Sequence, residues 1–368
     1  MKKFSFLLLF LTLCGISLPQ TAASAVRTVE LIEQPHQLID GRFISDDLAT
    51  LLAPEGRLGS LIFTPLPVQT RWIIDGAFLD EVAAMASGYE LVDESDGQGV
   101  GVAIAFLDQL KIATAGAQIT PIAYGNPDLA IAKELAPSEL LFYFSYGAER
   151  VSFHTGRTIE IDKSYSNRKS AKISGPLRKN YTINRQAISR LSTVVTAPEL
   201  ELFRARLAIL LSPSINGGLS EKFAQSAVVG VAQQREKLRV NPGKYTLTSE
   251  TVDVPLTLVN GFTSAVTVNL IFRVSNIKVL VNHMRQITLE PNSRTQFAVP
   301  FTVIASGETN VKTVLSNSKG QWLGPASELS LTMTLIDSRV AWFTTGAAVL
   351  LFIGAGAQTY RRIRKGRR

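Results

Sequence analysis

The sequence predicts a multi-domain chain with three parts. A mixed α/β domain of incomplete or degenerate β/α-barrel type precedes an immunoglobulin-like antiparallel β-sandwich and one C-terminal transmembrane helix. Three observations predict it. Apolar bursts alternate with helical stretches across residues 26–244. Short Val- and Thr-rich runs parted by turn residues fill 245–337. An uncharged run at 340–360 abuts an Arg-rich tail at 361–368.

Taken in order, residues 1–25 read as a signal peptide. Lys2 and Lys3 precede the apolar run Phe4–Leu13, and Ala23-Ser24-Ala25 has the A-x-A pattern a signal peptidase needs. Cys14 raises a lipoprotein alternative, but the residue before it is Leu13 rather than a small one. Cys14 is the only cysteine, so cleavage after Ala25 leaves an exported chain without disulfides or thiolate chemistry.

In the α/β domain, Ser60–Phe63, Arg71–Ile74, Ile119–Ala123, Leu140–Phe144 and Val151–His154 read as strands. Leu79–Ala86, Val102–Ile112, Leu129–Leu135 and Pro198–Leu211 read as helices. The last opens on Thr196-Ala197-Pro198-Glu199, a capping box with Pro in the first turn. A helix over Glu221–Arg239 is expected to lead into the sandwich. The sandwich strands are expected at Thr246–Thr248, Val252–Val259, Ala265–Val274, Ile277–Val281, Gln286–Leu289, Thr295–Ile304, Asn310–Ser316 and Leu329–Leu335. Asn260-Gly261 reads as a hairpin turn.

Val340–Tyr360 carries no charge, and at 1.5 Å per residue it matches a hydrocarbon core of about 30 Å. Trp342 and Tyr360 sit near its ends, as interfacial rings do. The tail cations Arg361, Arg362, Arg364, Lys365, Arg367 and Arg368 are expected to stay in the cytoplasm. The expected location is therefore the plasma membrane, single-pass, with the larger domains extracytoplasmic.

The formal net charge of +8 resides in the two ends, and the region between them is neutral, which argues against nucleic acid as a partner. Within that region residues 26–150 carry net −11 and residues 151–244 net +10. The densest basic run, Lys163, Arg168, Lys169, Lys172, Arg178, Lys179, Arg185 and Arg190, has a loop-like composition. It either docks on the acidic half or binds an anionic surface, with Lys163, Arg168, Lys169, Lys172, Arg178 and Lys179 as the candidate binding residues.

Asp75 and Asp128 follow expected strands, where barrel enzymes place catalytic groups. Two carboxylates about 5–9 Å apart divide acid and base roles in glycoside hydrolysis. The competing and favoured reading makes each an N-cap, a position Asp fills well. His36, His154 and His283 lack metal-ligand spacing, and no G-x-S-x-G or P-loop occurs, so neither a metal nor a cofactor is expected.

Four stretches carry a resemblance. They are Leu52-Ala53-Pro54-Glu55-Gly56-Arg57-Leu58 with Arg71–Asp80; Pro121-Ile122-Ala123-Tyr124-Gly125-Asn126-Pro127-Asp128-Leu129; Lys237–Val240 running into Thr246–Ser249 and Val254–Asn260; and the terminal run with its Arg-rich tail. The chain resembles an uncharacterised family of actinobacterial envelope proteins usually encoded beside the lipid II flippase, as a shortened member. None of these stretches is a catalytic signature. The expected role is extracytoplasmic binding or scaffolding, with envelope proteins or, through the basic run, anionic wall polymers as partners beside the membrane; the resemblance implies the link to cell-wall synthesis. The alternative is a carbohydrate-active hydrolase or deacetylase-like enzyme using Asp75 and Asp128.

Overall fold

A computed structural model describes residues 26–65, 70–165, 171–215, 217–334 and 338–365, with the side chains of 338–345 and 363–365 left outside the description. The expected signal peptide therefore lies outside the described residues, as do Arg168 and Lys169.

The first half is built on three parallel strands, β1 (Arg27–Leu31), β2 (Thr70–Ile74) and β3 (Gln118–Pro121), in the order β1-β2-β3. Leu31 pairs with Ile74 and Ile74 with Pro121, so the three carboxyl ends are level. Helices α1 (Asp47–Leu52) and α2 (Gly59–Phe63) cross from β1 to β2, and α3 (Gly76–Ala86) and α4 (Val100–Ala113) from β2 to β3. The unreversed order follows the arc of a barrel, but three strands make an open layer rather than a closed one. Trp72, Leu31, Ile74, Phe78, Leu79 and Phe106 fill the core against it.

Three expected strands are helical instead. Ser60–Phe63 falls in α2, and both Leu140–Phe144 and Val151–His154 fall in α6 (Pro137–Thr155), which follows α5 (Leu129–Leu135). Pro137 opens α6, and Gly156, left-handed at φ 68°, closes it. Between them the buried positions 139, 143, 147, 151 and 154 recur at helical spacing. The aromatic bursts that suggested strands are parts of one longer amphipathic stripe.

The second half of the basic run, from Arg178 to Arg190, departs from the loop reading, while Lys163 and Lys172 lie in non-helical chain. Ser174 caps α7 (Gly175–Leu191) by accepting from the Leu177 N–H, and Leu177, Tyr181, Asn184, Ile188 and Leu191 form its buried stripe. Helix α8 (Pro198–Arg206), a 3-10 turn over Leu207–Leu211 and α9 (Gly218–Glu236) follow. The expected capping box does not form, because Ala197 is the cap and the Glu199 carboxylate turns to the Thr263 hydroxyl at 3.0 Å.

The sandwich begins slightly earlier than expected. Its strands are β4 (Leu238–Val240), β5 (Gly243–Leu247), β6 (Thr251–Asn260), β7 (Val266–Val274), β8 (Val279–Val281), β9 (Met284–Leu289), β10 (Ser293–Val303), β11 (Gly307–Ser316) and β12 (Ser327–Met333). One sheet has the order β4-β6-β10-β8 and the other β5-β12-β11-β7-β9, with only β5 and β12 parallel within them. All eight expected strands occur within a few residues of their predicted bounds. Asn260-Gly261 is not a hairpin turn, since β6 and β7 belong to opposite sheets. The buried Asn260 side chain instead anchors the crossover, donating to the carbonyls of Ser264 and Glu290 and accepting from the Phe262 N–H.

One buried cluster runs from Tyr181, Leu210, Phe223 and Val231 of the helical half into Leu238, Leu256, Phe262 and Leu323 of the sandwich. Helix α10 (Ser338–Lys365) then leaves the sandwich. Among the described residues no helix is long and apolar enough to cross a membrane. The expected span at 340–360 is helical, but its first six side chains lie outside the description. Leu350, Leu351, Phe352 and Ile353 are exposed, at 64–81%.

Candidate functional site

Titratable side chains collect at the carboxyl ends of β1–β3, where α/β folds bind ligands. Two glycines make this possible. A Cβ at Gly76 would lie 2.9 Å from the Gly147 carbonyl, and one at Gly147 would lie 2.2 Å from that of Ile122, so α3, α6 and the end of β3 meet backbone to backbone.

That approach places Asp80 of α3 against α6. Its Oδ1 accepts from Arg150 Nε at 2.7 Å and lies 2.7 Å from His154 Nε2, while its Oδ2 accepts from the Tyr124 hydroxyl at 3.0 Å. Tyr146, Arg150 and His154 follow at four-residue spacing on one face of α6. Burial holds the Tyr124 phenol far above its ordinary titration range, so it remains a donor. The Arg150 guanidinium stacks 4.6 Å above the exposed Phe153 ring. Both oxygens of the Asp80 carboxylate are thus engaged, and among the described residues no Ser or Thr hydroxyl is hydrogen-bonded into this network.

Beside it, Glu81 is buried under the His36 backbone N–H with Arg206 nearby. Burial pushes its carboxyl up to about 8, against the pull of the backbone N–H groups and Arg206. Arg206 reaches Gln37 Oε1 at 2.8 Å and the Leu38 carbonyl. Both His36 ring nitrogens are buried without a partner among the described residues, and burial lowers its pKa. In the first turn of α6, Glu139 accepts from Arg204 Nε at 2.7 Å and from the Ser189 hydroxyl at 3.1 Å. Among the described residues no group of three or more His, Cys, Asp or Glu is arranged to hold a metal.

Asp75 and Asp128 both occupy helix caps. Asp75 Oδ1 accepts from the Ala77 and Gly125 N–H groups at 2.9 Å each. Burial pushes its carboxyl up to about 7, with the two N–H bonds opposing. Such a value is what a general acid needs, but the side chain sits 4% exposed beneath backbone. Asp128 Oδ1 accepts from Ala130 and Ile131 N–H at 3.0 Å, and its Oδ2 from Ala171 N–H at 2.8 Å. The two carboxylates therefore face different helices. A cavity of about 430 Å³ lies at the other end of the sheet, lined by Ile62, Thr70, Gln109, Ile112 and Ala117.

The basic residues separate. Arg178 pairs with Glu134 at 2.9 Å and Arg185 approaches Glu139 at 3.9 Å, so two cations of the run touch the acidic half. Lys163, Lys172 and Lys179 are exposed. The sequence reading missed the Asp80 network because it assigned Val151–His154 to a strand. Reading 137–155 as one helix would have aligned Tyr146, Arg150 and His154.

Comparisons with known proteins add location in the chain more than chemistry. A family profile described as a family of unknown function (DUF6049) matches residues 155–368. No curated protein matches the chain. Among solved structures, Escherichia coli alpha-2-macroglobulin is 13% identical with a TM-score of 0.22, over 27% of this chain and 6% of its own. The CARDB domain of a Pyrococcus furiosus protein is 9% identical with a TM-score of 0.22, over 27% and 94%. The Caenorhabditis elegans MSP family member WR4 is 11% identical with a TM-score of 0.21, over 27% and 98%. The chain thus spans only a small part of the alpha-2-macroglobulins it matches, 6–16% of their length.

Proposed function

The chain belongs to a family of unknown function (DUF6049), and from its own residues we propose that it is a single-span envelope protein whose α/β half and sandwich form an extracytoplasmic binding or scaffolding unit. The observation that carries this reading is the terminal helix. Its 28 residues extend about 42 Å, its described apolar side chains are exposed, and six cations close the chain. A helix whose described side chains bury nothing against its own protein, and which carries an uncharged run, is best accommodated by lipid. The uncharged run 340–360 supplies the span, and the Arg-rich tail keeps the carboxyl terminus in the cytoplasm. The signal-like segment 1–25 supplies the export route.

Binding or scaffolding is favoured over catalysis because the polar groups at the strand ends are engaged with one another. Asp75 and Asp128 hold backbone N–H groups, and Asp80 holds Arg150, His154 and Tyr124. The link to cell-wall synthesis rests on the resemblance set out above, and the exposed Lys163, Lys172 and Lys179 of the basic run suggest anionic wall polymers as partners beside envelope proteins. A carbohydrate-active role for Asp75 keeps one supporting feature, its raised pKa. The deciding experiment is protease treatment of intact protoplasts making the full chain. Digestion of everything before the span, leaving a short membrane stub, is expected. Protection of the large domains would overturn the topology. Crosslinking in the membrane would then identify what the exported unit holds.

A further inference from the structure

We propose that the pole of the sandwich from which α10 departs is itself a membrane-seated surface, with Ile277, Leu280 and Ile304 resting in the headgroup–acyl boundary. The inference rests on the reading of 340–360 as a span and extends it to the sandwich.

The chain's own path fixes the pole. β12 ends at Met333, and Thr334 still donates its N–H to the Leu247 carbonyl at 2.9 Å. Helix α10 begins at Ser338, four residues later. Even fully extended, four residues reach only about 14 Å. If the helix spans, the end of β12 must lie at the bilayer surface.

Other segments share that end. Gly307 at the start of β11 is in register with Met333. Ser275 donates its N–H to the Asn310 carbonyl at 3.1 Å, which brings in the turn after β7. The Ile304 N–H donates to the Lys278 carbonyl at 2.8 Å, and the Val303 N–H to that of Glu250, also at 2.8 Å. The turns 248–250, 275–278 and 304–307 therefore surround the exit of the chain.

This pole carries the exposed large aliphatic side chains of the sandwich. Ile277 is 85% exposed, Leu280 57% and Ile304 54%, and no other large hydrophobic residue between Leu238 and Thr334 reaches that class. Leu280 pairs with Thr302 on edge strand β8, whose neighbours Val279 and Val303 point into the core. A soluble domain tolerates single exposed aliphatic residues. Three gathered at one end, within reach of a membrane helix, have an apolar phase to enter. Among the described residues the charges in or directly beside these turns are one cation, Lys278, and two anions, Glu250 and Glu308, so the contact is apolar rather than an attraction to anionic lipid. Lys278 can keep its ammonium at the headgroups while its stem lies in the boundary.

The test uses the full chain in phosphatidylcholine nanodiscs, with Cys14→Ser as background and one cysteine added for an environment-sensitive fluorophore. Ile277→Cys and Ile304→Cys probe the pole, Ala265→Cys the opposite end of the sandwich, and Leu351→Cys the span. Nitroxide lipids placed at shallow or deep positions act as quenchers. Labels at 277 and 304 should be quenched most by the shallow nitroxide, at a depth of about 5–10 Å, with 265 unquenched and 351 quenched by the deep one. Quenching at 351 with 277 and 304 no different from 265 would overturn this inference and leave the anchor standing. A shift to apolar emission at 277 without lipid quenching would mean that a second copy covers the patch, and would also overturn it. An unquenched 351 would remove the span and this inference together.

Discussion

At the residue scale, Asp75 and Glu81 are carboxyls held where the proton is hard to remove. Burial raises Asp75 from 3.8 to about 7 and Glu81 from 4.5 to about 8. The folded chain keeps these protons longer than the unfolded one. Their contribution to stability is therefore complete below about pH 4 and is lost as the pH rises through about 7 and then 8. The loss should be on the order of 4 kcal/mol for each group. Melting temperatures across that range should fall and then level, and Asp75→Asn with Glu81→Gln should flatten the profile. The two caps also respond differently to amide substitution. Asp75 uses a single oxygen, so Asn serves nearly as well. Asp128 uses both, and Asn would turn an NH2 toward the Ala171 N–H. Asp128→Asn should cost about 1–3 kcal/mol in urea unfolding where Asp75→Asn at low pH costs a few tenths.

At the element scale, the Asp80 network ties α3 to α6 while the glycine pair brings their backbones together. Asp80 has a side chain only 10% exposed, and removing it strands Arg150 and His154 together. Asp80→Ala should destabilise by about 2–4 kcal/mol. A double-mutant cycle with His154→Ala should return a coupling of about 1–2 kcal/mol. Additive effects would mean that the histidine merely packs there. The same helix explains a lesson in reading apolar bursts. Leu140–Phe144 and Val151–His154 have the composition of strands. The four residues from Gly147 to Arg150 conceal that both bursts share one helical stripe.

At the scale of the whole molecule, the helical half and the sandwich share a core. Asn317 of the sandwich donates to the Thr193 hydroxyl at 3.0 Å, Arg235 of α9 holds the Gly324 carbonyl at 3.1 Å, and Glu199 holds Thr263. With one buried cluster crossing the junction, residues from α7 onward should unfold in a single calorimetric transition with the sandwich. A sandwich melting apart from α7–α9 would show that the shared core does not couple them. The family match over 155–368 covers these same helices together with the sandwich, so they also travel together in sequence.

The sequence by itself determined the features written in short-range periodicity: the eight sandwich strands, the helices α3, α4 and α5, and the uncharged run inside α10. It also indicated that Asp75 and Asp128 sit at helix starts, because an acid before an apolar stretch satisfies free N–H groups locally. Tertiary structure decided which sheet each strand joins, and so turned Asn260-Gly261 from a hairpin into a crossover. It decided that the second half of the basic run becomes α7, whose Tyr181 and Ile188 are buried where α7 packs on α9 and the 3-10 turn. It also assembled the Asp80 network from α3, the loop after β3 and α6, with Tyr124, Arg150 and His154 lying 44, 70 and 74 positions from Asp80 in the chain. A period can be read along a chain because neighbours set it. A contact between distant residues exists only once the backbone has closed around them.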